Sequence, residues 1–374
     1  MKVLVCARGY NSFKENSLGC FELDQAKALK AVGCDVRIAS LDLRSPRRAR
    51  PLGAKLFAQK GVHCVTVNSM SSALPSKAAD TLAKKAAAQA VKWICRDGWK
   101  PDVIHAHFTE IASAFRDEAD KLGAKYVVTE HSSAMNKASP DEKTLAQAKR
   151  AYSKADMVIA VGSALSAAIK QSTGVNAETV GNIVDTQVFD LNRQKHDGAF
   201  RFVSCGNLVE IKRFDVLLDA FAKLSDTSAV LTIFGDGPLK SELLAQCARL
   251  GIAERVTFAG HKPRDVIAEE YAKSDAFVLA SRSETFGVSL LEAMCSGLPV
   301  AATKCGGPQD FVWELNGRLA EVGNAKSLAQ AMEDIQMRID DFDSERIRRF
   351  VMSRYSPQAV AERLEEIYER LLNS

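Results

Sequence analysis

Two glutamates flank what reads as a helix start in Ser281-Arg-Ser-Glu284-Thr-Phe-Gly287-Val-Ser-Leu-Leu-Glu292. The segment follows the apolar run Ala276 to Ala280, so the chain passes from a strand into a helix near Gly287. The first N–H groups of a helix lack intrahelical acceptors, and the peptide dipoles add partial positive charge there. The N–H groups around Phe286, Gly287 and Val288 therefore suit an anion, and a phosphate belongs at that spot. Glu284 and Glu292 repel a phosphate. Their chemistry is to accept hydrogen bonds from hydroxyls on either side of it, which a sugar and a ribose supply.

A second strand-to-helix junction, Cys205-Gly206-Asn207-Leu-Val-Glu-Ile-Lys212-Arg213, places a glycine at the turn and a lysine at its far end. Lys212 is a point charge suited to the leaving oxygen of a diphosphate. The turn Gly235-Asp-Gly-Pro238 reads as structural, because Pro238 fits the first helical position and glycines tighten the approach. Among the histidines, His105 and His107 share a strand face two residues apart, with His107 nearer the strand's carboxyl end. A buried histidine satisfied by its surroundings is the bland role for both. Asp102 and Glu110 lie near them in sequence, yet carboxylate and imidazole spacing without a third clear ligand does not make a metal site. Asp341-Phe-Asp343 reads as surface, and no obligatory metal or other cofactor is expected.

Those junctions need a scaffold of parallel strands. Short β-branched runs at 2–6, 35–39, 62–67, 102–106, 125–129 and 157–161 alternate with segments of helical period, which predicts a doubly wound α/β domain. A polar stretch, 186–198, interrupts the cadence, which then restarts at 201–205, 229–234, 255–259, 276–280 and 299–302. The reading is an N-terminal domain over 1–185, a linker over 186–198 and a second domain of the same kind over 199–356. The two sheets are expected to face each other across a cleft, with ligands outside the carboxyl ends of the strands. A last helix, 357–374, carries an apolar stripe through Val360, Leu364, Ile367 and Leu371 and can pack back on the first domain. The loop from Arg8 to Gly19 is long for such a fold, and its Asn16, Ser17 and Gly19 can shape an acceptor pocket.

The 374 residues, 47% hydrophobic and 26% charged, exclude disorder and a disulfide-stapled miniature. No run approaches the ~18 apolar residues of a membrane span, and the apolar core before Arg8 is too short for a signal peptide, which points to a cytoplasmic protein. Nine cysteines without a C-x-x-C pair read as reduced, buried small hydrophobes. Residues 1–195 hold 29 Lys+Arg against 19 Asp+Glu, a balance of +10, and the remainder holds 21 against 27, or −6. A basic first half suits phosphorylated substrates or an anionic membrane surface. The run Arg44, Arg47, Arg48, Arg50, Lys55, Lys60 is the densest part of it, and with Phe57 as its single aromatic it does not suggest nucleic acid.

At this point the chain resembles the retaining glycosyltransferases of family 4, which share the two-lobed GT-B fold of two Rossmann-like domains. Glu284 to Glu292 matches their E-x7-E element, and Gly235-Asp-Gly-Pro238, Val256-Thr-Phe-Ala-Gly260 and Ala293-Met-Cys-Ser-Gly297-Leu-Pro299 match its surroundings. In the first half, Gly19-Cys-Phe-Glu22, Asp102-Val-Ile-His-Ala-His-Phe108, Thr129-Glu-His131 and Gly181-Asn-Ile-Val-Asp185 look like the corresponding segments.

The resemblance implies a nucleoside-diphosphate sugar donor on the second domain, and on the first a glycan or lipid-linked glycan acceptor. Lys212 and the Gly206-Asn207 turn would meet the diphosphate, Glu284 the transferred sugar, Glu292 the ribose, and Gly260, His261 and Lys262 the base. His131 would line the reacting centre, with His107 on the acceptor side. The family often has arginine where this chain has Asn207 and glycine where it has Arg213. A sugar-nucleotide epimerase, a phosphorylase or a catalytically silent subunit of the same fold are the alternatives. A dehydrogenase is disfavoured, because the first strand's loop lacks G-x-G-x-x-G.

Overall fold

The computed structural model describes residues 1–9, 20–43, 52–69, 76–136, 140–194, 196 and 198–374. The chain forms two compact units, one of Met1–Ile183 with Pro357–Ser374, the other of Val184–Ser356.

The first unit has strands β1 (Lys2–Arg8), β2 (Asp35–Asp42), β3 (Gly53–Gln59), β4 (Val62–Asn68), β5 (Val103–His107), β6 (Lys125–Glu130), β7 (Met157–Ala160) and β8 (Glu178–Thr179). They pair in the order β3-β4-β2-β1-β5-β6-β7-β8, and β3 alone among the described strands runs antiparallel to its neighbour. Helices α1 (Cys20–Ala31), α2 (Ser76–Ile94), α3 (Thr109–Leu122), α4 (Glu142–Tyr152) and α5 (Ser163–Thr173) link them. The central strands β1 and β5 are buried along almost their whole length, as expected of a sheet covered on both faces. The second unit repeats the scheme with β9 (Arg201–Cys205), β10 (Val230–Phe234), β11 (Val256–Gly260), β12 (Ala276–Leu279), β13 (Val300–Thr303) and β14 (Gly317–Ala320). Their order is β11-β10-β9-β12-β13-β14, all parallel. Its helices are α6 (Phe214–Phe221), α7 (Lys240–Leu250), α8 (Arg264–Lys273), α9 (Val288–Cys295), α10 (Ala325–Met337) and α11 (Ser344–Tyr355), after which α12 (Pro357–Leu372) ends the chain.

The apolar stripe of α12 belongs to the first unit, where Val360, Leu364, Ile367 and Tyr368 join Leu23, Ala26 and Leu29 of α1 in one core. Burial of such side chains contributes about 1.5–3 kcal/mol each, enough to hold the helix there.

One expectation needs correcting, and β3 and β14 are added to the strands the pattern showed. The stretch 186–198 is no free linker: Arg348 donates to the carbonyls of Thr186 and Phe189, the Gln194 N–H donates to Ala272, and Phe189 is wholly buried, so the described part of it is pinned to the second unit. Lys55 falls within β3, an edge strand paired only with β4 among the described strands, while Arg44, Arg47, Arg48 and Arg50 lie outside the described residues. Strand β14 also escaped the pattern, since Gly317-Arg-Leu-Ala has neither length nor β-branching. The Asp341-Phe-Asp343 motif is consumed locally: Asp341 pairs with Arg338, and Asp343 caps α11 by accepting from the Arg346 N–H. Among the described residues no helix is long and apolar enough to cross a membrane, and eight cysteines are free.

Candidate active site

The second unit gathers the expected donor residues at the carboxyl ends of β9, β11 and β12. Lys212 closes a 3-10 turn, Glu210–Lys212, and its stem lies against Gly206, where an added Cβ would meet Lys212 Cδ at 3.7 Å. Its Nζ stands 2.6 Å from Glu284 Oε1, and Ser281 Oγ donates to the same oxygen at 2.7 Å. The Arg282 N–H donates to the Ile211 carbonyl at 2.8 Å, which fastens the lysine turn to the glutamate segment. Glu284 is fixed from its other side as well. Its N–H donates to the Cys305 carbonyl at 2.8 Å, and its carbonyl accepts from the Gly307 N–H at 2.9 Å.

Gly287 then takes φ +102, a left-handed value that admits glycine without strain, and α9 begins at Val288. Leu290 and Leu291 N–H groups bond back to Gly287, so the N–H groups of Val288 and Ser289 are those the helix itself leaves without acceptors. One and a half turns on, Glu292 is buried and its Oε1 stands 3.4 Å from an Arg264 guanidinium nitrogen. Arg264 opens α8 just beyond the exposed His261 and Lys262, so the ion pair joins the expected base-flanking loop to the expected ribose carboxylate.

The turn 235–238 proves to be the mould for the Gly206 loop. A Cβ on Gly235 would stand 1.9 Å from the Gly206 carbonyl oxygen, and one on Gly237 would stand 2.5 Å from that of Leu208. Asn207 is exposed beside this contact. Arg213 holds φ +51, a strained value for a side-chain-bearing residue, which accounts for glycine there in the resembling family; its guanidinium is engaged by Asp215 at 3.0 Å. Burial pushes the Cys205 thiol up to about 12 and that of Cys305 up to about 11, so both stay protonated at neutral pH and neither is a nucleophile.

The first unit brings His105, His107 and His131 into one stack, with centroid separations of 4.7 Å and 5.1 Å. His107 Nδ1 and His131 Nε2 share a hydrogen bond of 2.9 Å, and His105 Nε2 bonds Thr129 Oγ1 at 2.6 Å. His105 is thus satisfied by side chains, with Gln25 and Tyr368 at its Nδ1, while His131 also lies between the rings of Phe21 and Phe108. Asp102 sits at the opposite end of β5 from His107 and accepts from the Lys2 N–H, which removes it from any shared site. Among the described residues there is no group of three metal-ligating side chains. Asn16, Ser17 and Gly19 lie outside the described residues.

Residues that sequence reading missed do much of the positioning. Buried Glu130 accepts from the N–H groups of His131 and Ser132, from Tyr152 OH and from Thr109 Oγ1, and so locks the turn that carries His131. Glu22, in the first turn of α1, is buried with neither carboxylate oxygen finding a hydrogen-bond partner among the described residues, and burial pushes its carboxyl up. Arg8 lies 3.3 Å over the Phe108 ring.

Burial, and then the charge of Arg8, lower His107 to about 3; burial, and then neighbouring imidazoles, hold His105 and His131 well below their ordinary value. The neutral His107 ring therefore contributes stability that is fully present above about pH 6.5 and is lost as pH falls from there toward 3, at about 1.4 kcal/mol per pH unit, and His105 and His131 act in the same direction. His107→Gln should flatten the fall in the urea unfolding midpoint between pH 7.5 and 5.5. An unchanged slope would remove His107 from the account.

Two Rossmann-like units, the second with Lys212 and Glu284 paired beside the start of α9, make up the GT-B fold. The chain belongs to glycosyltransferase family 4: the family profile "Glycosyltransferase Family 4" matches residues 23–188 and "Glycosyl transferases group 1" matches residues 188–337. It is 28% identical to the N-acetyl-alpha-D-glucosaminyl L-malate synthase of Bacillus anthracis, over 72% of this chain and 75% of that one. The lipopolysaccharide core biosynthesis glycosyltransferase LpsE of Rhizobium meliloti is 36% identical over 36% of this chain and 38% of its own. The fold matches the crystal structure of Anabaena HepE in complex with UDP and glucose, with a TM-score of 0.75 and 19% identity, over 99% of this chain and 100% of that one. The protein is a glycosyltransferase.

Proposed function

We propose that the protein moves a sugar, with retention of anomeric configuration, from a nucleoside diphosphate to a hydroxyl of a glycan or lipid-linked glycan. The observation that carries this reading is the Lys212–Glu284 pair at 2.6 Å beside the start of α9. The diphosphate would draw Lys212 Nζ and the N–H groups of Val288 and Ser289, leaving Glu284 to accept from the sugar and Glu292 from the ribose. Charge develops on the leaving phosphate as the sugar carbon becomes oxocarbenium-like, and a lysine plus a helix start stabilise it by several kcal/mol when preorganised. That oxygen is also the base that takes the acceptor proton, so no side-chain nucleophile is required; neutral His131, held by Glu130, orients the acceptor.

The Anabaena neighbour's UDP makes uridine the first base to try. Because Lys212 and the helix start supply the counter-charge, turnover is expected to survive EDTA. The basic first half supports work at the cytoplasmic face of an anionic membrane. The deciding experiment incubates the protein with a panel of UDP-, GDP- and ADP-sugars and candidate acceptors, following nucleotide release and the anomeric configuration of the product by NMR. Inversion would sink the retaining route; donor interconversion without release would favour an epimerase, and binding without release a silent subunit.

Arg264 gives this reading a sharper test. Its pair with Glu292 keeps that carboxylate aimed, so Arg264→Ala should weaken UDP about tenfold and 2′-deoxy-UDP much less. Calorimetric titration of both nucleotides checks it; equal losses would take the arginine off the ribose.

A further inference from the structure

Helices α2, α3 and α4 enclose a groove of about 530 Å³ in the first unit, within the size range of small-ligand sites. Its walls are charged. Among the described residues five cations line it, Lys77 and Lys84 from α2, Arg116 from α3, and Lys143 and Arg150 from α4, against the carboxylates of Asp80 and Glu110. Asp80 is engaged by Arg150 at 3.2 Å, and Asp117, behind the groove, takes Lys84 at 2.8 Å and Arg116 at 3.1 Å. Those carboxylates fix three of the cations in place without cancelling the excess, which remains two positive charges with Asp117 counted. Lys77 and Lys143 are exposed and have no ion pair among the described residues.

The groove's place in the fold gives this charge a use. Lys77, Glu110 and Lys143 belong to the first turns of α2, α3 and α4, which follow β4, β5 and β6; those turns stand at the sheet's carboxyl edge, where β5 and β6 also deliver His107 and His131. Three helix starts there add partial positive charge to that of the side chains. Two exposed lysines beside three anchored cations suit a ligand with several anionic oxygens.

We infer that this groove binds phosphoryl groups of the acceptor, which is therefore a phosphorylated molecule held by its phosphate or diphosphate while its hydroxyl reaches the sugar. The inference rests on the proposed transfer from a nucleotide sugar, and its test is built so that the two fail separately. Pyrophosphate and farnesyl diphosphate are titrated into the full-length protein with the donor site saturated by UDP, with farnesol as the uncharged control. Wild-type protein is expected to bind both diphosphates and not farnesol. Lys77→Gln/Lys143→Gln, two exposed positions whose change leaves the fold and UDP affinity intact, should weaken the diphosphates at least tenfold.

Tighter binding of farnesyl diphosphate than of pyrophosphate assigns the phosphoryl groups to a lipid carrier; equal binding assigns them to phosphate on a glycan. No diphosphate binding in the presence of UDP, or equal affinity in wild type and double variant, overturns the inference. So does loss of co-sedimentation with phosphatidylglycerol vesicles in the double variant without any diphosphate binding, which would make the groove a membrane patch. A protein that ignores UDP yet binds pyrophosphate in a Lys77- and Lys143-dependent way sinks the donor reading and upholds the groove.

Discussion

Lys212→Ala lowers turnover about 10²–10³-fold while the protein stays folded. The side chain is 25% exposed and its stem rests on Gly206, so truncation removes little apolar packing. What it removes is the cation that Glu284 faces at 2.6 Å and that the diphosphate would take over as its negative charge grows. Because that charge is larger in the transition state than in bound donor, kcat should fall more than KM rises. Lys212→Arg keeps the charge but replaces a point by a planar fork, and should recover only part of the rate. Steady-state kinetics beside a thermal melt separate the outcomes. A kcat within threefold of wild type at an unchanged melting temperature would take Lys212 out of the chemistry.

Lys212, Glu284 and Glu292 were legible because each sits at a strand-to-helix junction whose neighbours announce the junction: a β-branched run before it, a glycine at it, a helical period after it. The same punctuation marks the parallel strands of both sheets. Arg264 and Glu130 were not legible, since an arginine in a charged helix start and a glutamate at a strand end are the ordinary surface residues of such proteins. Only tertiary placement turns one into the partner of a buried carboxylate and the other into an acceptor of four hydrogen bonds. Edge strand β3 was obscured by the lysines that protect an exposed edge from pairing with other chains. The described residues of 186–198 reach α8 and α11 through side chain and backbone, and polarity alone does not distinguish such a strap from a linker.

Gly307 carries no signal in the sequence, and its substitution should disturb the proposed donor site strongly. Gly307 has no left-handed φ to forbid a side chain, so its constraint is space: a Cβ would fall 2.0 Å from the Phe286 carbonyl oxygen, 2.5 Å from its carbonyl carbon and 2.6 Å from its Cα. These are backbone atoms of the segment that feeds α9, and no rotamer change relieves the clash. Gly307→Ala must push that segment away, straining the bonds that Glu284 makes to Cys305 and Gly307. Overpacking of this kind costs about 1–3 kcal/mol, which in a unit of this size lowers the melting temperature by roughly 2–12 °C. Displacing the N–H groups of Val288 and Ser289 by even ~1 Å should also weaken UDP more than tenfold, since electrostatic anchoring depends on donors already in place. Gly206→Ala is the matched control for stability, because its Cβ meets only the Lys212 and Phe214 side chains, at 3.7 Å, and the fold should tolerate it. If Gly307→Ala melts and binds UDP like wild type, the 284–287 segment is not held by the loop that crosses it, and the preorganisation assigned to the start of α9 has no structural source.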